Sequence, residues 1–166
     1  MNKMILKDFI LQTMIAAIYV VLVYVFQFAS FGLIQFRIAE VLMILVFFDK
    51  KSVLGLTVGC FLANLLGGAL PFDVIFGTLA TTLAAIMMIL TKKMLWLALL
   101  MPAIINGIIV GIMLTYVYDL GFLYITIPAV FLGEFAVLFL IGLPLYKALE
   151  HNQHFNELFE KNKMIP

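Results

Sequence analysis

Apolar residues fill long, uninterrupted stretches of this chain, and charged residues collect in the short segments between them. The stretches are too long and alternate too little for barrel strands, so in lipid their backbone must bond internally as helices. The pattern predicts six membrane-spanning helices, at residues 10–28, 36–48, 52–66, 74–90, 94–117 and 122–145. A full crossing needs about 20 residues, so the second and third are short. We expect an all-α membrane protein, with residues 1–166 forming a single compact six-helix bundle.

Composition supports a lipid environment. The chain has 166 residues, of which 66% are hydrophobic, and its mean hydropathy is +1.21. A soluble domain of this length cannot bury so much apolar surface. The net charge of +1 gives no support for a nucleic-acid partner. The single cysteine, Cys60, cannot form an internal disulfide and is expected to be a small packing residue. The first apolar stretch is too long for a signal-peptide core, which predicts a retained helix.

The lysines orient the predicted helices. With six crossings, all nine fall on one side of the membrane, whereas Arg37 falls on the other. The lysines are Lys3, Lys7, Lys50, Lys51, Lys92, Lys93, Lys147, Lys161 and Lys163. Because positive residues favour the cytoplasmic side, we expect both termini in the cytoplasm of a bacterial cell and a multi-pass protein in its cytoplasmic membrane.

Small residues predict close helix packing. Glycines recur four residues apart at Gly55 and Gly59 in the third helix, and at Gly107 and Gly111 in the fifth. This spacing lets two helix backbones approach each other in a membrane. Gly77, Thr81 and Ala85 form a similar stripe on the fourth helix.

The polar tail, residues 147–166, is predicted to be amphipathic. Phe155, Leu158 and Phe159 share one helical face, which indicates contact with the membrane surface or a partner. His151 and His154 could ligate a metal in principle, but two solvated histidines without a third ligand are more typical of polar surface.

The remaining polar side chains converge on the outer half or the middle of the predicted bundle. They are Arg37, Glu40, Asn64, Asp73, Asn106 and Glu134. Such a distribution favours a pocket that opens to the outside. Asp119, in the last outer loop, is interpreted as a turn residue.

Most of these residues also have a structural interpretation. Arg37 and Glu40 stand three apart and could pair at the headgroup level. Asp73 could cap the helix that follows it, and the two asparagines could bond between helices. Glu134 lies well inside an apolar helix, where a carboxylate costs about 2.5–3.5 kcal/mol, so it needs a partner or a cavity. Glu134 therefore favours a functional role.

Several enzymatic motifs do not occur in the sequence. It contains no G-x-x-x-x-G-K-[ST], no H-E-x-x-H and no G-x-S-x-G, and no histidine lies within a predicted span. We therefore expect no enzyme activity, no cofactor and no ATP binding by this chain itself. An inverted repeat of the kind found in many secondary transporters is not evident.

Three segments of the sequence resemble a known family, the QueT-type queuosine-precursor transporters. They read QFRIAE at residues 35–40, GCFLANLLGG at 59–68 and FDVIFGTLAT at 72–81. Members are substrate-binding (S) components of energy-coupling factor importers. The resemblance implies a six-helix protein that captures a micronutrient outside the cell and docks on a transmembrane coupling protein with two cytoplasmic ATPases. It also implies a small-residue docking face on the first helix, for which the nearest match is Thr13, Ala16 and Ala17.

The ligand implied by the resemblance is a 7-deazaguanine, such as 7-aminomethyl-7-deazaguanine. Its guanine-type edge offers paired N–H donors that one carboxylate can accept, for which we choose Glu134, and an O6 acceptor that an arginine or the amide of Asn64 or Asn106 could serve. Arg37, Glu40, Asp73 and Glu134 carry one positive and three negative charges, a formal sum of −2 that suits the cationic aminomethyl group. Aromatic side chains expected to stack on the ring are Phe36, Phe72 and Tyr116. Arg37 and Glu40 are then expected to line the outer gate of the pocket.

Three other functions stay open at this point. The chain could be an S component for another vitamin, such as riboflavin or a thiamine precursor. It could be a self-sufficient secondary transporter, which would need no ATPase. It could also be an assembly or scaffold protein that binds no small molecule.

Overall fold

The computed structural model describes residues 3–30 and 35–159, and every regular element within them is helical. The α-helices are α1 Lys3–Val25, α2 Gln27–Ser30, α3 Ser52–Leu66, α4 Thr78–Leu90, α5 Leu95–Tyr116, α6 Leu123–Ala136, α7 Leu143–Glu150 and α8 Gln153–Phe159. A 3₁₀ helix covers Ile38–Phe47, and π-helical turns at Asp73–Gly77 and Val137–Gly142 lead into α4 and α7.

Four helical segments are long and apolar enough to cross a membrane: Leu6–Val25, Asp73–Leu90, Leu95–Tyr116 and Leu123–Glu150. They establish an all-α, multi-pass membrane protein. The second and third predicted spans are short apolar helices, as expected, so the lengths of the described helices support four crossings and leave the count of six a prediction. The 3₁₀ helix is about 20 Å long and α3 about 22 Å, against a hydrocarbon core of about 30 Å.

The second predicted span is a 3₁₀ helix, and it lies in the centre of the bundle. Eight of its ten residues are buried. The 3₁₀ conformation rises about 2.0 Å per residue against 1.5 Å for an α-helix, so ten residues cover more depth. Arg37, which precedes it, has φ −75° and ψ 81° and lies outside the helix.

Glycines bring neighbouring helices together, as their spacing predicted. A Cβ atom on Gly59 of α3 would lie 2.7 Å from the Cβ of Tyr19 in α1, and one on Gly55 would lie 2.8 Å from the carbonyl oxygen of Gln12. A Cβ on Gly111 of α5 would lie 2.8 Å from the Cα of Ile127 in α6. No side chain fits at these positions without separating the helices. The predicted packing function of both glycine pairs is confirmed.

Long-range contacts define the two ends of the bundle. At one end, Lys51 pairs with Asp8, which joins the turn before α3 to the start of α1. Phe155 of α8 packs on Phe48 at the same turn, with ring centroids 5.1 Å apart. At the other end, the loop after α5 meets the π turn before α4, where Tyr118 hydrogen-bonds Asp73. The start of α1, the turn at residues 48–52 and α8 therefore share one end.

The tail packs in part on the protein itself, a contact that the sequence did not predict. Phe159 is 5% exposed and lies against Phe48, with ring centroids 6.2 Å apart. Of the predicted apolar face, Leu158 remains half exposed. The ring of Phe48 therefore covers part of the apolar face of the tail. Residues 160–166, including Lys161 and Lys163, lie outside the described residues.

The tail histidines do not assemble a metal site in the part of the chain that the structure describes. His151 Nδ1 lies 2.8 Å from the carbonyl oxygen of Lys147. His154 is exposed, 3.9 Å from a Glu157 oxygen. No group of three potential metal ligands occurs among residues 3–30 and 35–159.

Candidate functional site

Four polar side chains from three separate parts of the sequence meet in the interior of the bundle. Arg37 and Glu40 come from the central segment, Asn106 from the middle of α5 and Glu134 from α6. None is more than 3% exposed. Arg37, Glu40 and Glu134 are close enough to interact electrostatically, and Asn106 hydrogen-bonds Glu40. We call these four residues the buried polar cluster.

Glu40 is fully engaged with other residues of the protein. Its Oε1 accepts hydrogen bonds from the Tyr19 hydroxyl, at 2.9 Å, and from Thr81 Oγ1, at 2.7 Å. Its Oε2 lies 3.4 Å from Asn106 Nδ2, which donates to it. Glu40 thus joins α1, α4 and α5 to the 3₁₀ helix, and three donors compensate its buried charge.

Arg37 has no hydrogen-bond partner for either terminal nitrogen, although it is buried. The alternative of a direct pair with Glu40 is not realised: ion pairs between described residues are Lys51–Asp8 and His154–Glu157. The i, i+3 argument requires both residues in one helix, and Arg37 lies before the helix begins. Both side chains are also enclosed, so neither is exposed at an outer gate. The guanidinium lies beside Gly77, where a Cβ would be 3.4 Å from Nη2.

Glu134 is completely buried, and neither of its carboxylate oxygens has a hydrogen-bond partner. Its neighbour Gly133 allows α6 to touch the backbone before the 3₁₀ helix, because a Cβ there would overlap the carbonyl oxygen of Gln35. The side-chain oxygens of Gln35 and Asn106 are likewise buried without partners. The cluster therefore presents unpaired acceptors and an unpaired guanidinium together.

Asn64 and Asp73 belong to a neighbouring polar layer. Asn64 Nδ2 donates to the carbonyl oxygen of Asp73 at 3.1 Å, which ties α3 to the π turn. The Asp73 carboxylate accepts a hydrogen bond from the Tyr118 hydroxyl. The predicted helix cap by Asp73 is not formed, because this residue lies inside the π turn and no side-chain cap precedes the turn or α4. Burial and then the bond to Asp73 raise the pKa of Tyr118 to about 12.

The three aromatic residues expected to stack on a ligand do not reach the buried polar cluster. Phe36 is 41% exposed, Phe72 49% and Tyr116 74%. Phe72 stacks on Phe76, with ring centroids 6.3 Å apart. The aromatic ring at the cluster is that of Tyr19, which the sequence analysis missed. The sequence contains no direct signal for it, because only the structure shows that this face of α1 meets the Gly55–Gly59 pair.

The predicted docking residues on α1 point in different directions. Thr13 and Ala17 are exposed, whereas Ala16 is buried against Gly59, whose Cβ would lie 3.0 Å from the Ala16 Cα. Ala16 is therefore an internal packing residue and was wrongly assigned to the docking face. Residues 16 and 17 are about 100° apart around the helix axis, so they cannot share one narrow face.

A cavity of about 560 Å³ lies at the end of the bundle opposite α8, lined by Gln27, Phe28, residues 67–70 and Tyr118. Tyr118 connects this cavity to Asp73, and Asn64 connects Asp73 to the region of Arg37 and Gly77. The cavity and the buried polar cluster are thus separated by one layer of hydrogen-bonded side chains.

A comparison with models of protein families assigns the chain to a family. The model described as QueT transporter matches residues 9–151, which include every residue of the buried polar cluster. The chain belongs to the QueT transporter family. It is a transporter-family protein of the membrane, as the resemblance predicted.

A curated relative carries a related name. The chain is 37% identical over 83 residues to the queuosine precursor transporter QueT of Lactococcus lactis subsp. cremoris (strain MG1363). The alignment covers 49% of this chain and 48% of the relative, so the chain spans about half the length of the curated relative it matches. No solved structure matches the chain.

Proposed function

We propose that this chain is the substrate-binding component of an energy-coupling factor importer that captures a queuosine precursor outside the cell. The ligand is a 7-deazaguanine such as 7-aminomethyl-7-deazaguanine. The observation that carries the proposal is the enclosure of Arg37 and Glu134, with unpaired donors on one and unpaired acceptors on the other. Buried charges without hydrogen bonds are costly, so a ligand that supplies both kinds of partner would be bound strongly.

A guanine-type edge has the complementary chemistry. Its neighbouring N–H donors match the two free oxygens of Glu134, and its O6 acceptor matches the terminal nitrogens of Arg37. Asn64, considered for O6 from the sequence, already donates to the Asp73 carbonyl. Arg37 is therefore the better donor for O6. The name of the Lactococcus relative, a queuosine precursor transporter, supports this class of ligand.

The proposed topology retains six crossings with both termini in the cytoplasm. The contacts that group Asp8, Lys51 and Phe155 at one end are consistent with an even number of crossings. The short 3₁₀ helix is enclosed by protein, and short or broken segments at membrane depth are tolerated when they are shielded in this way. The cavity near Tyr118 then faces the outside.

The energy for import comes from partner proteins, since the chain has no P-loop motif. We propose a transmembrane coupling protein and two cytoplasmic ATPases as partners. Within the described residues, α1 is the least enclosed of the four long helices, with 22% of its span buried against 39–61% for the others. Thr13 and Ala17, on its exposed surface, are the proposed contact for the coupling protein.

Ligand identification tests this function. The protein is purified in detergent, and any co-purified small molecule is released and identified by mass spectrometry. A 7-deazaguanine is the expected result, whereas a flavin or a thiamine precursor would assign another vitamin. In a second arm, vesicles containing the chain alone are given external ligand under a proton or sodium gradient. Binding without accumulation is expected, and accumulation would identify a self-sufficient transporter instead.

A further inference from the structure

The amide of Asn106 has one end committed to the protein and one end free. Its Nδ2 donates to Glu40 Oε2 at 3.4 Å, whereas its Oδ1 has no partner. The side chain is 1% exposed, so bulk water does not satisfy this oxygen. The cluster therefore contains a third residue, besides Arg37 and Glu134, with a buried polar atom available to a ligand.

The orientation of this amide follows from the carboxylate that it meets. An ionised carboxylate has only acceptors, so an amide beside it must present its NH2 group. Glu40 cannot turn away, because Tyr19 and Thr81 hold its other oxygen. The contact with Glu40 Oε2 therefore acts against a rotated amide.

We propose that Glu40 is a positioning residue that fixes the Asn106 amide so that its oxygen accepts a hydrogen bond from a donor on the ligand. The inference rests on the proposed function and refines it, since Asn106 was considered from the sequence as a donor to O6. It also removes Glu40 from the residues that touch the ligand. The cluster then binds ligand donors at Glu134 and Asn106 and a ligand acceptor at Arg37.

Exchanging the carboxylate and the amide between positions 40 and 106 tests whether position 106 accepts a hydrogen bond from the ligand. In the double variant Glu40→Gln/Asn106→Asp, the new glutamine amide donates to the new carboxylate, so position 106 is no longer needed as a donor. The other oxygen of that carboxylate still faces the ligand, and the net charge is unchanged. Asn106→Leu is the matched control, because it is close in size and has no polar atom.

Affinity is measured by calorimetry for the complete chain in detergent. The probe is 7-deazaguanine without the aminomethyl group, so that moving a negative charge does not alter attraction to a cation. We expect the double variant to bind at least about tenfold more tightly than Asn106→Leu, because it keeps the acceptor. If Asn106 used its nitrogen, the double variant would bind no better than Asn106→Leu, and the proposal would be wrong.

Glu40→Gln and Glu134→Gln separate positioning from contact. A glutamine at position 40 can accept from Asn106 and donate to the Tyr19 and Thr81 hydroxyls, so we expect a loss of about threefold, against about 10- to 150-fold for Glu134→Gln. Equal losses from the two variants would overturn the role of Glu40. Thermal melts accompany each variant. If Asn106→Leu unfolds, Asn106→Ala replaces it, and if Glu40→Gln unfolds, Glu40→Met replaces it. If the unaltered protein binds no 7-deazaguanine, both the proposed function and this inference fail; if it binds but the variants behave otherwise, only the inference fails.

Discussion

Asn64 and Asp73 are joined by a hydrogen bond of 3.1 Å from the asparagine side chain to the aspartate backbone. A backbone carbonyl in a π turn has a displaced helical partner, and the buried amide supplies a donor to it. The same aspartate accepts the hydroxyl of Tyr118 through its side chain. One residue therefore links α3, the start of the α4 segment and the loop after α5, and holds the layer between the cavity at Tyr118 and the buried polar cluster.

Glu134→Gln should weaken binding of 7-deazaguanine without unfolding the protein. The substitution replaces one acceptor oxygen by a donor that faces a ligand N–H, which costs about 1.5–3 kcal/mol, or about 10- to 150-fold in affinity. The fold should survive, because a buried charge without hydrogen bonds is removed. Calorimetry measures the affinity. Glu157→Gln, on an exposed side chain, is the matched control, and equal affinities of these two variants would contradict a contact at Glu134.

Gly59→Ala should destabilise the packing of α1 on α3. The new Cβ would lie 2.7 Å from the Tyr19 Cβ and 3.0 Å from the Ala16 Cα, so a backbone shift is required. We expect a loss of about 1–3 kcal/mol in the free energy of unfolding. A shift of Tyr19 would also loosen its bond to Glu40. Gly142→Ala is the control, since its nearest contact is ordinary at 3.4 Å, and similar melts for both variants would contradict the close approach.

Tyr118→Phe should lower stability at neutral pH but not at very high pH. The pKa of Tyr118 is raised from 10.0 to about 12, first by burial and then by the bond to Asp73, so the folded protein favours the neutral hydroxyl. Its contribution is complete below pH 10 and is lost as the pH rises through about 12. The melting difference between the unaltered protein and Tyr118→Phe should therefore shrink over this range. Tyr116→Phe, on a side chain that is 74% exposed, should show no such change.

Phe159→Ala should destabilise the attachment of α8. Phe159 is 5% exposed and contacts Phe48, and truncation of a buried phenylalanine costs about 3 kcal/mol or more. Leu158→Ala is the control, because Leu158 is 50% exposed. Protease protection of the tail provides the measurement. Equal protection in the two variants would favour the membrane-surface placement that the sequence suggested.

Thiol labelling tests the six-crossing topology. In a Cys60→Ala background, cysteines at Leu70 and Leu120 should react with an impermeant reagent from outside, since both positions are more than 40% exposed. Gly121 is avoided because its φ of +125° would strain any side chain. Cysteines at Lys50 and Lys93 should react only after the membrane is opened. Labelling of the lysine loops in intact cells would reverse the orientation and, with it, the outward-facing cavity.

Hydrophobicity and spacing along the chain determined the class of the protein and part of its packing. Segment length and composition are properties of the chain itself, so they predicted a helical membrane protein, and the Gly55–Gly59 and Gly107–Gly111 spacings predicted close helix contacts. The carboxylate of Glu134 was recognisable for the same reason, because an ionisable residue within an apolar helix is visible in the sequence and requires compensation in the fold.

The tertiary structure decided which polar groups are already paired. The i, i+3 spacing of Arg37 and Glu40 predicted a pair only if both lay in one helix, and the chain places Arg37 before the helix and brings Tyr19 and Thr81 to Glu40 instead. The side chains of Phe36, Phe72 and Tyr116 are likewise exposed, so they do not line the cluster as the sequence predicted. Which end of the Asn106 amide stays free depends on its contact with Glu40, a residue 66 positions away in the sequence. Hydrogen bonding is satisfied across helices in three dimensions, so a pattern along one segment cannot specify which donors and acceptors remain for a ligand.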